Sequence, residues 1–321
     1  MKIIKYLKSF VLINSVAITS ILCAQQQQQD NSNENFFKEP LTQYTNCGPE
    51  NNSGVFNKGI QFFQDQTGSK FVLKHQISKE YSIHEVLGAR IGQVLGKNIV
   101  NEVIPAPRDL AAPYGMTTLH THAQGTEVGS SCISGKVGIK EGLANKANLK
   151  SISWNKDLAK IVALNLYLDD RDCHQNNLFF DITSHRFCAI DKGLIFETSY
   201  DCKHNLNSEH GLHYILPAKY KHDYYYYDQL LASDACDFLE NIKKEDLSLE
   251  EIRALKRVGK TLNSLMVAYP PTKIHSEWMS IAQDFNFDYS DETKENISIL
   301  VEYNHHENKR LVKLIDKITK Q

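Results

Sequence analysis

Short β-prone runs alternate with turn residues at the start of the ordered-looking part of the chain. Val55-Phe56, Ile60 to Phe63 and Lys70 to Lys74 are rich in apolar and β-branched residues, and Asp65-Gln66-Thr67-Gly68 separates the last two. This spacing predicts a β-hairpin system. The period then changes. From Glu80 to Leu95 the apolar positions are Ile83, Val86, Leu87, Ile91, Val94 and Leu95, a helical spacing that Gly96-Lys97-Asn98 closes. One amphipathic helix is expected there. Ile99 to Ile104 and Met116 to His122 are again β-prone, the first ending in Pro105-Ala106-Pro107. The Gly- and Lys-rich stretch from Gly129 to Lys150 reads as a connection.

The second half opens on a helical pattern from Asp157 to Leu168, with Leu158, Ile161, Val162, Leu164, Leu166 and Leu168 apolar. A dense polar loop interrupts it, Asp169 to Asn177. Leu178-Phe179-Phe180, a turn at Thr183-Ser184-His185 and Phe187 to Ile190 follow as a hairpin that runs into Asp191-Lys192-Gly193. Beyond Phe196 lies an irregular region containing Tyr224 to Tyr227. Helical segments are expected around Leu249 to Ala268, Ser276 to Phe285 and Glu292 to Lys320. The class is α+β, with two lobes: strand-rich at 47–128, mostly helical at 129–321 with a helical C-terminal extension. No internal repeat is apparent.

Composition narrows the choice of function. The 321 residues are 41% hydrophobic, enough for a core, and the formal charge of −2 supplies no basic field of the kind nucleic-acid binders carry. Nucleic acid is therefore not an expected partner. Lys2, Lys5 and Lys8 precede an apolar run from Phe10 to Leu22, which reads as a secretory signal peptide at 1–24, cleaved after Ala24, with a retained anchor or a lipidated Cys23 as alternatives. Gln25 to Gln29 and the polar residues after them have no apolar periodicity, so 25–46 reads as a disordered polar linker. The seven cysteines have no close paired spacing, which signals no zinc site and leaves any disulfide pairing open.

Phosphoryl transfer asks little covalent chemistry of a protein. It needs cations and metal-binding groups around the phosphates and one carboxylate beside the attacking hydroxyl. Such a set occurs here in order: Lys74 at a strand end, Glu85 on the following helix, Asp172 and Asn177 in one loop, and Asp191 after an apolar strand. Each has a plainer reading. A strand-end lysine is usually solvated, Glu85 alone suits a helix surface, and Asp/Asn-rich loops serve turn chemistry. The ordered combination favours the functional reading.

That combination resembles the broad kinase group that contains phosphatidylinositol 3- and 4-kinases, the actin-fragmin kinase and the HipA-like kinases. The group's Asp-Arg-His-x-x-Asn loop is matched by Asp172-Cys173-His174-Gln175-Asn176-Asn177. Its metal-binding Asp is matched by Ala189-Ile190-Asp191-Lys192-Gly193-Leu194-Ile195-Phe196, which is similar to type II phosphatidylinositol 4-kinases in particular. Glu85 to Arg90, Leu95-Gly96 and Ile104-Pro105 extend the likeness, which covers roughly Gly54 to Phe196.

The resemblance implies a two-lobed protein-kinase-like fold and dependence on ATP with magnesium, or manganese in its place. Lys74 would hold the nucleotide phosphates and Glu85 would orient it. Ser53-Gly54 would open the turn that covers the phosphates, and His120 to Gln124 would occupy the adenine-contacting hinge. Asp172 would position or deprotonate the acceptor hydroxyl, with His174 in the same catalytic loop, and Asn177 and Asp191 would bind the metal. Three departures stand out: Cys173 replaces the usual Arg, Asp170-Arg171 offers a competing Asp for the base position, and the phosphate loop is not a strong glycine-rich signature. Spacing to Asn177 favours Asp172.

Lys203, Lys219 and Lys221, with Tyr224 to Tyr227, supply cations and aromatics where this group selects its substrate, which suits a phosphoinositide headgroup at a membrane surface, and suits a solvated loop above a tyrosine-rich core equally well. A protein acceptor, as for the actin-fragmin and HipA-like relatives, is the alternative, and a pseudokinase that only binds a partner is a third reading. The signal segment points to a secreted or extracytoplasmic protein. Because ATP is scarce outside cells, delivery into a host cell would reconcile export with ATP use.

Overall fold

The computed structural model describes residues 45–48, 60–64, 69–76, 78–106, 117–121, 126–127, 156–173, 177–181, 184, 186–196 and 232–320. The signal segment, nearly all of the polar linker, Val55-Phe56, the 129–150 connection, Ser53, Gly54, His174, His122 to Gln124 and the Lys203 to Tyr227 region lie outside these residues. Asn46–Gln64 and Gly68–Gln321 belong to one compact unit.

A five-stranded sheet forms the N-terminal lobe. Its strands are β1 (Thr45–Gly48), β2 (Ile60–Gln64), β3 (Lys70–His75), β4 (Val103–Pro105) and β5 (Thr117–Thr121), in the order β1-β2-β3-β5-β4. The β2–β3 hairpin pairs antiparallel with Ile60 opposite Lys74, as the alternating runs and the intervening turn residues lead one to expect. β1 takes in Thr45 and Asn46, which composition had assigned to the linker. A polar strand added at a sheet edge leaves no apolar period to read.

Helix α1 (Lys79–Gln93) follows β3. Ser78 caps it, its hydroxyl accepting the Tyr81 N–H at 3.1 Å. The helix ends where Gly96 adopts φ 120°, a conformation that costs glycine little. Its apolar spacing predicts an amphipathic surface helix, yet every residue from Ser82 to Ala89 is buried. The reason is tertiary: the sheet, the C-terminal lobe and the turn after Asp191 cover it from several sides. Contact is close enough that a side chain at Gly92 would meet Val100 at 2.5 Å.

The C-terminal lobe begins with α2 (Lys156–Leu168), then the polar loop, then a small sheet ordered β6 (Thr126–Glu127), β7 (Leu178–Asp181) and β8 (Arg186–Ala189). Among the described residues four α-helices follow: α3 (Ala232–Asn241), α4 (Leu249–Ala268), α5 (Pro271–Asp284) and α6 (Asp291–Lys320). The sequence pattern had not shown α3, and it started α5 five residues late because Pro271 at the first turn, where proline is tolerated, extends it toward its N-terminus. Ser248 and Glu251 close a capping box on α4.

One apolar cluster runs from α1 through α2 to α4, α5 and α6, with Trp278 and Leu164 fully buried. Each such side chain contributes on the order of 2 kcal/mol by leaving water. Asn304 and Asn308 of α6 reach the end of α2: Asn304 Nδ2 donates to Tyr167 O at 2.5 Å and Asn308 Nδ2 to Leu166 O at 3.3 Å. Carbonyls at a helix C-terminus lack the full ladder of the inner turns, and Asn308 shares the Leu166 carbonyl with the Asp169 N–H. The long last helix thereby holds the end of α2 from which the polar loop departs. No helix among the described residues is long and apolar enough to cross a membrane.

Candidate active site

Alternation along β3 puts Phe71 and Leu73 on one face and Lys74 on the other. Glu85, one and a half turns into α1, meets Lys74 there. Lys74 Nζ lies 2.6 Å from Glu85 Oε1 and 2.6 Å from Asp191 Oδ1. Glu85 is 0% exposed, so it is no helix surface residue. Its charge is satisfied by Lys74, by Gln76 Nε2 at 3.2 Å and, on its other oxygen, by the Lys192 backbone N–H at 2.8 Å.

Antiparallel pairing of β7 with β8 supplies the second half of the site. Leu178 stands opposite Ala189, and the Ile190 N–H donates to Asn177 O at 2.9 Å. Asn177 and Asp191 are thus brought side by side at the open end of the hairpin. Asp191 has φ 55°, a left-handed backbone that aspartate accepts more readily than most residues and that redirects the chain out of the strand. In the loop, Asn177 Nδ2 donates to both Asp172 O at 2.7 Å and Asp172 Oδ2 at 3.0 Å.

Asp170 and Asp172 differ in burial and in their partners. Asp170 Oδ2 is ion-paired with Lys192 Nζ at 2.6 Å, and its other oxygen accepts the Asp172 N–H at 3.1 Å. Both of its oxygens are therefore committed to structure. Asp172 is instead held by the Asn177 amide. The pattern had identified neither Lys192 nor the role of Asp170; Lys192 stood at a variable position of the motif.

Electrostatics separate the site's carboxyls. Burial, then the charges of Asp191 and Asp170, push Asp172 up to about 7, while the Asn177 hydrogen bond and Lys192 pull it down. Burial and neighbouring Glu85 also raise Asp191, against the pull of Lys74. Glu85 is lowered: burial would raise it, but Lys74, Asp191 and the Lys192 N–H together outweigh that. Lys74 is held above its ordinary value because its two carboxylates overcome its burial.

His120, at the expected hinge, is buried, and its Nε2 lies 2.7 Å from Thr118 Oγ1. It faces inward to the β-sheet network with Asn101. Cys173, which replaces the usual Arg, is a buried reduced thiol, as are Cys188 and Cys236.

The donor set fits a hard divalent cation. Asn177 uses its N–H groups on Asp172, which leaves its amide oxygen as the atom of metal-ligating chemistry, and Asp191 adds a carboxylate. Glu85 and Asp191 share one lysine in a buried site, so a further positive charge there would relieve their repulsion.

A strand-rich lobe that presents a lysine to a helix glutamate, and a helical lobe that presents a loop Asp, an Asn and a turn Asp, together define a two-lobed α+β protein. No protein-family model matches the chain, and no curated protein does. Among solved structures it is similar to a Helicobacter pylori proinflammatory kinase, CtkA, at 13% identity and a TM-score of 0.49, over 85% of this chain and 95% of that one.

Proposed function

We propose that this protein is an ATP-dependent phosphotransferase that moves a terminal phosphate onto an alcohol. One observation carries the reading: Lys74 bridges Glu85 and Asp191, while Asn177 joins Asp191's hairpin to Asp172. Cation, metal-ligating oxygens and a lone carboxylate base are the parts that in-line phosphoryl transfer needs.

In this reading Lys74 neutralises nucleotide phosphate oxygens, and Glu85 keeps its ammonium in place. Asp172 accepts the proton of the acceptor hydroxyl as that oxygen bonds to the terminal phosphorus and the bond to the ADP oxygen breaks. A pKa near 7 suits a general base at neutral pH. Asn177 and Asp191 would hold magnesium, which supplies charge neutralisation of the phosphate oxygens.

The acceptor proposed is a phosphoinositide hydroxyl, supported by the lysines and tyrosines between Lys203 and Tyr227 and by the Ile190 to Phe196 motif. Export through the N-terminal segment belongs to the same proposal, supported by its Lys-rich start and apolar run.

The test is transfer of labelled terminal phosphate from ATP, with magnesium or manganese, to mixed phosphoinositides and to a protein lysate. Label in lipid that disappears in Asp172→Ala and Asp191→Ala supports the proposal. Label in protein alone moves the acceptor to a polypeptide. No transfer from folded protein with either metal overturns phosphotransfer and leaves a binding module.

A further inference from the structure

The residue after Asp191 is the unexpected one. Lys192 is 1% exposed, among the most deeply buried large side chains of the described residues. A buried ammonium requires a counter-ion, and Lys192 has one in Asp170, itself buried. Asp170 divides its two oxygens between the Lys192 ammonium and the Asp172 N–H.

Lys192 also touches α1. Its N–H donates to Glu85 Oε2, and its stem packs so closely on the helix that a Cβ at Gly88 would lie 2.5 Å from Lys192 Cβ. The neighbouring Gly193 carbonyl lies 3.2 Å from His84 Nδ1. On the loop side, the Arg171 N–H donates to Leu194 O and the Phe196 N–H to Leu168 O, each at 3.1 Å. A single short segment is therefore bonded to the glutamate helix on one side and to the Asp172 loop on the other.

We infer that Lys192 and Asp170 form a positioning pair that transmits the seating of α1 to the loop and so holds Asp172 in register with Lys74, Glu85 and Asp191. The inference rests on the phosphotransferase reading. Neither residue touches a reacting group. An apolar pair would fill the same space without directing anything, whereas Asp170, anchored through one oxygen, fixes the Asp172 backbone through the other. Misplacing a reacting group by about 1 Å costs on the order of 100-fold in rate.

The experiment compares the wild type with Lys192→Met and with the double variant Lys192→Met/Asp170→Leu. Three quantities are read: thermal midpoint, steady-state ATP-dependent transfer, and hydrogen exchange at the Asp172 amide. The single variant strands a buried carboxylate and loses stability. The double variant removes both charges and recovers most of the midpoint. Its kcat is expected to stay roughly 100-fold below wild type, with KM for ATP within about twofold, because Asp170→Leu takes the acceptor from the Asp172 N–H. Exchange at that amide is expected to rise at least about tenfold. Recovery of kcat together with the midpoint, or unchanged exchange at Asp172, overturns the inference. Absence of transfer by the wild type defeats the phosphotransferase reading instead, and the exchange measurement still decides whether the pair holds the loop.

Discussion

Asn177 binds Asp172 twice, through the backbone carbonyl at 2.7 Å and through the side-chain Oδ2 at 3.0 Å, from one amide nitrogen. The same residue lends its carbonyl to Ile190, next to Asp191. One residue therefore ties the two together: its side chain holds the carboxylate that would take a proton, and its backbone holds the end of the hairpin that would ligate metal. Asn177→Ala should lower kcat by about 10²- to 10³-fold without unfolding the protein, and should raise the magnesium concentration needed for half-maximal rate. Steady-state kinetics over a magnesium series check this; an unchanged magnesium requirement would remove Asn177 from the metal site.

Activity should depend on pH through Asp172, which must be deprotonated to act as the base. With its pKa pushed up to about 7, kcat/KM should rise about tenfold per pH unit below 7 and level off above. A profile from pH 5.5 to 9 shows this, and a flat one over pH 5.5 to 8 would place the proton acceptor elsewhere.

Lys74→Met should abolish transfer and also destabilise the protein, since Glu85 and Asp191 would face each other without their shared cation. Asp191 is about a third exposed and can take up a proton, so the cost should be nearer 1–3 kcal/mol than the full cost of stranding a wholly buried charge. Chemical denaturation of wild type and variant gives the number. Equal stabilities would show that the cluster holds no strain in the absence of the lysine.

Two buried histidines should make stability fall on mild acidification. Burial lowers His84 to about 4 and His120 to about 3, from an ordinary value near 6.5. A group whose folded pKa is depressed contributes its full stability above the unfolded pKa, and that contribution is lost as pH falls from 6.5 toward the folded value. By pH 5 each histidine should have cost about 2 kcal/mol. The raised carboxyls Asp172 and Asp191 act in the opposite sense, since their contribution fades as pH rises. The clean measurement is therefore the difference in pH slope between wild type and His84→Asn, where the variant should lose less stability between pH 7 and 5.

Asn308→Ala should cost about 1–3 kcal/mol, because the Leu166 carbonyl and the Asn304 carbonyl would each lose a buried donor. A lowered thermal midpoint with transfer per folded molecule preserved is the expected result. Loss of transfer at full stability would instead assign α6 a direct part in the site.

The legible parts of the site were those with local spacing. Lys74 and Glu85 follow from a strand and the helix after it, and Asp172, Asn177 and Asp191 from a loop and hairpin. The structure brings Lys74, Glu85 and Asp191 into direct contact. Lys192 was unreadable because its partner Asp170 is selected by how the turn folds over the loop, and a lysine beside a glycine usually signals a solvated turn. α3 escaped notice because Ala232 to Asn241 is short and polar, with apolar residues that gain a partner only when α6 packs on them. Asn304 and Asn308 lie on a long polar helix where nothing marks them as the residues that bond α2.

The sequence by itself determined the order of strand, helix, polar loop and hairpin, and which polar residues stand at their ends. Periodicity and turn chemistry act over a few residues, so one chain suffices to read them. Only the tertiary structure decided that α1 is buried rather than amphipathic, that Asp170 is committed to Lys192, and that Asp172 is bound by Asn177. Each of those depends on removing a charge or a helix face from water, and the groups that make this tolerable come from segments far apart in the chain.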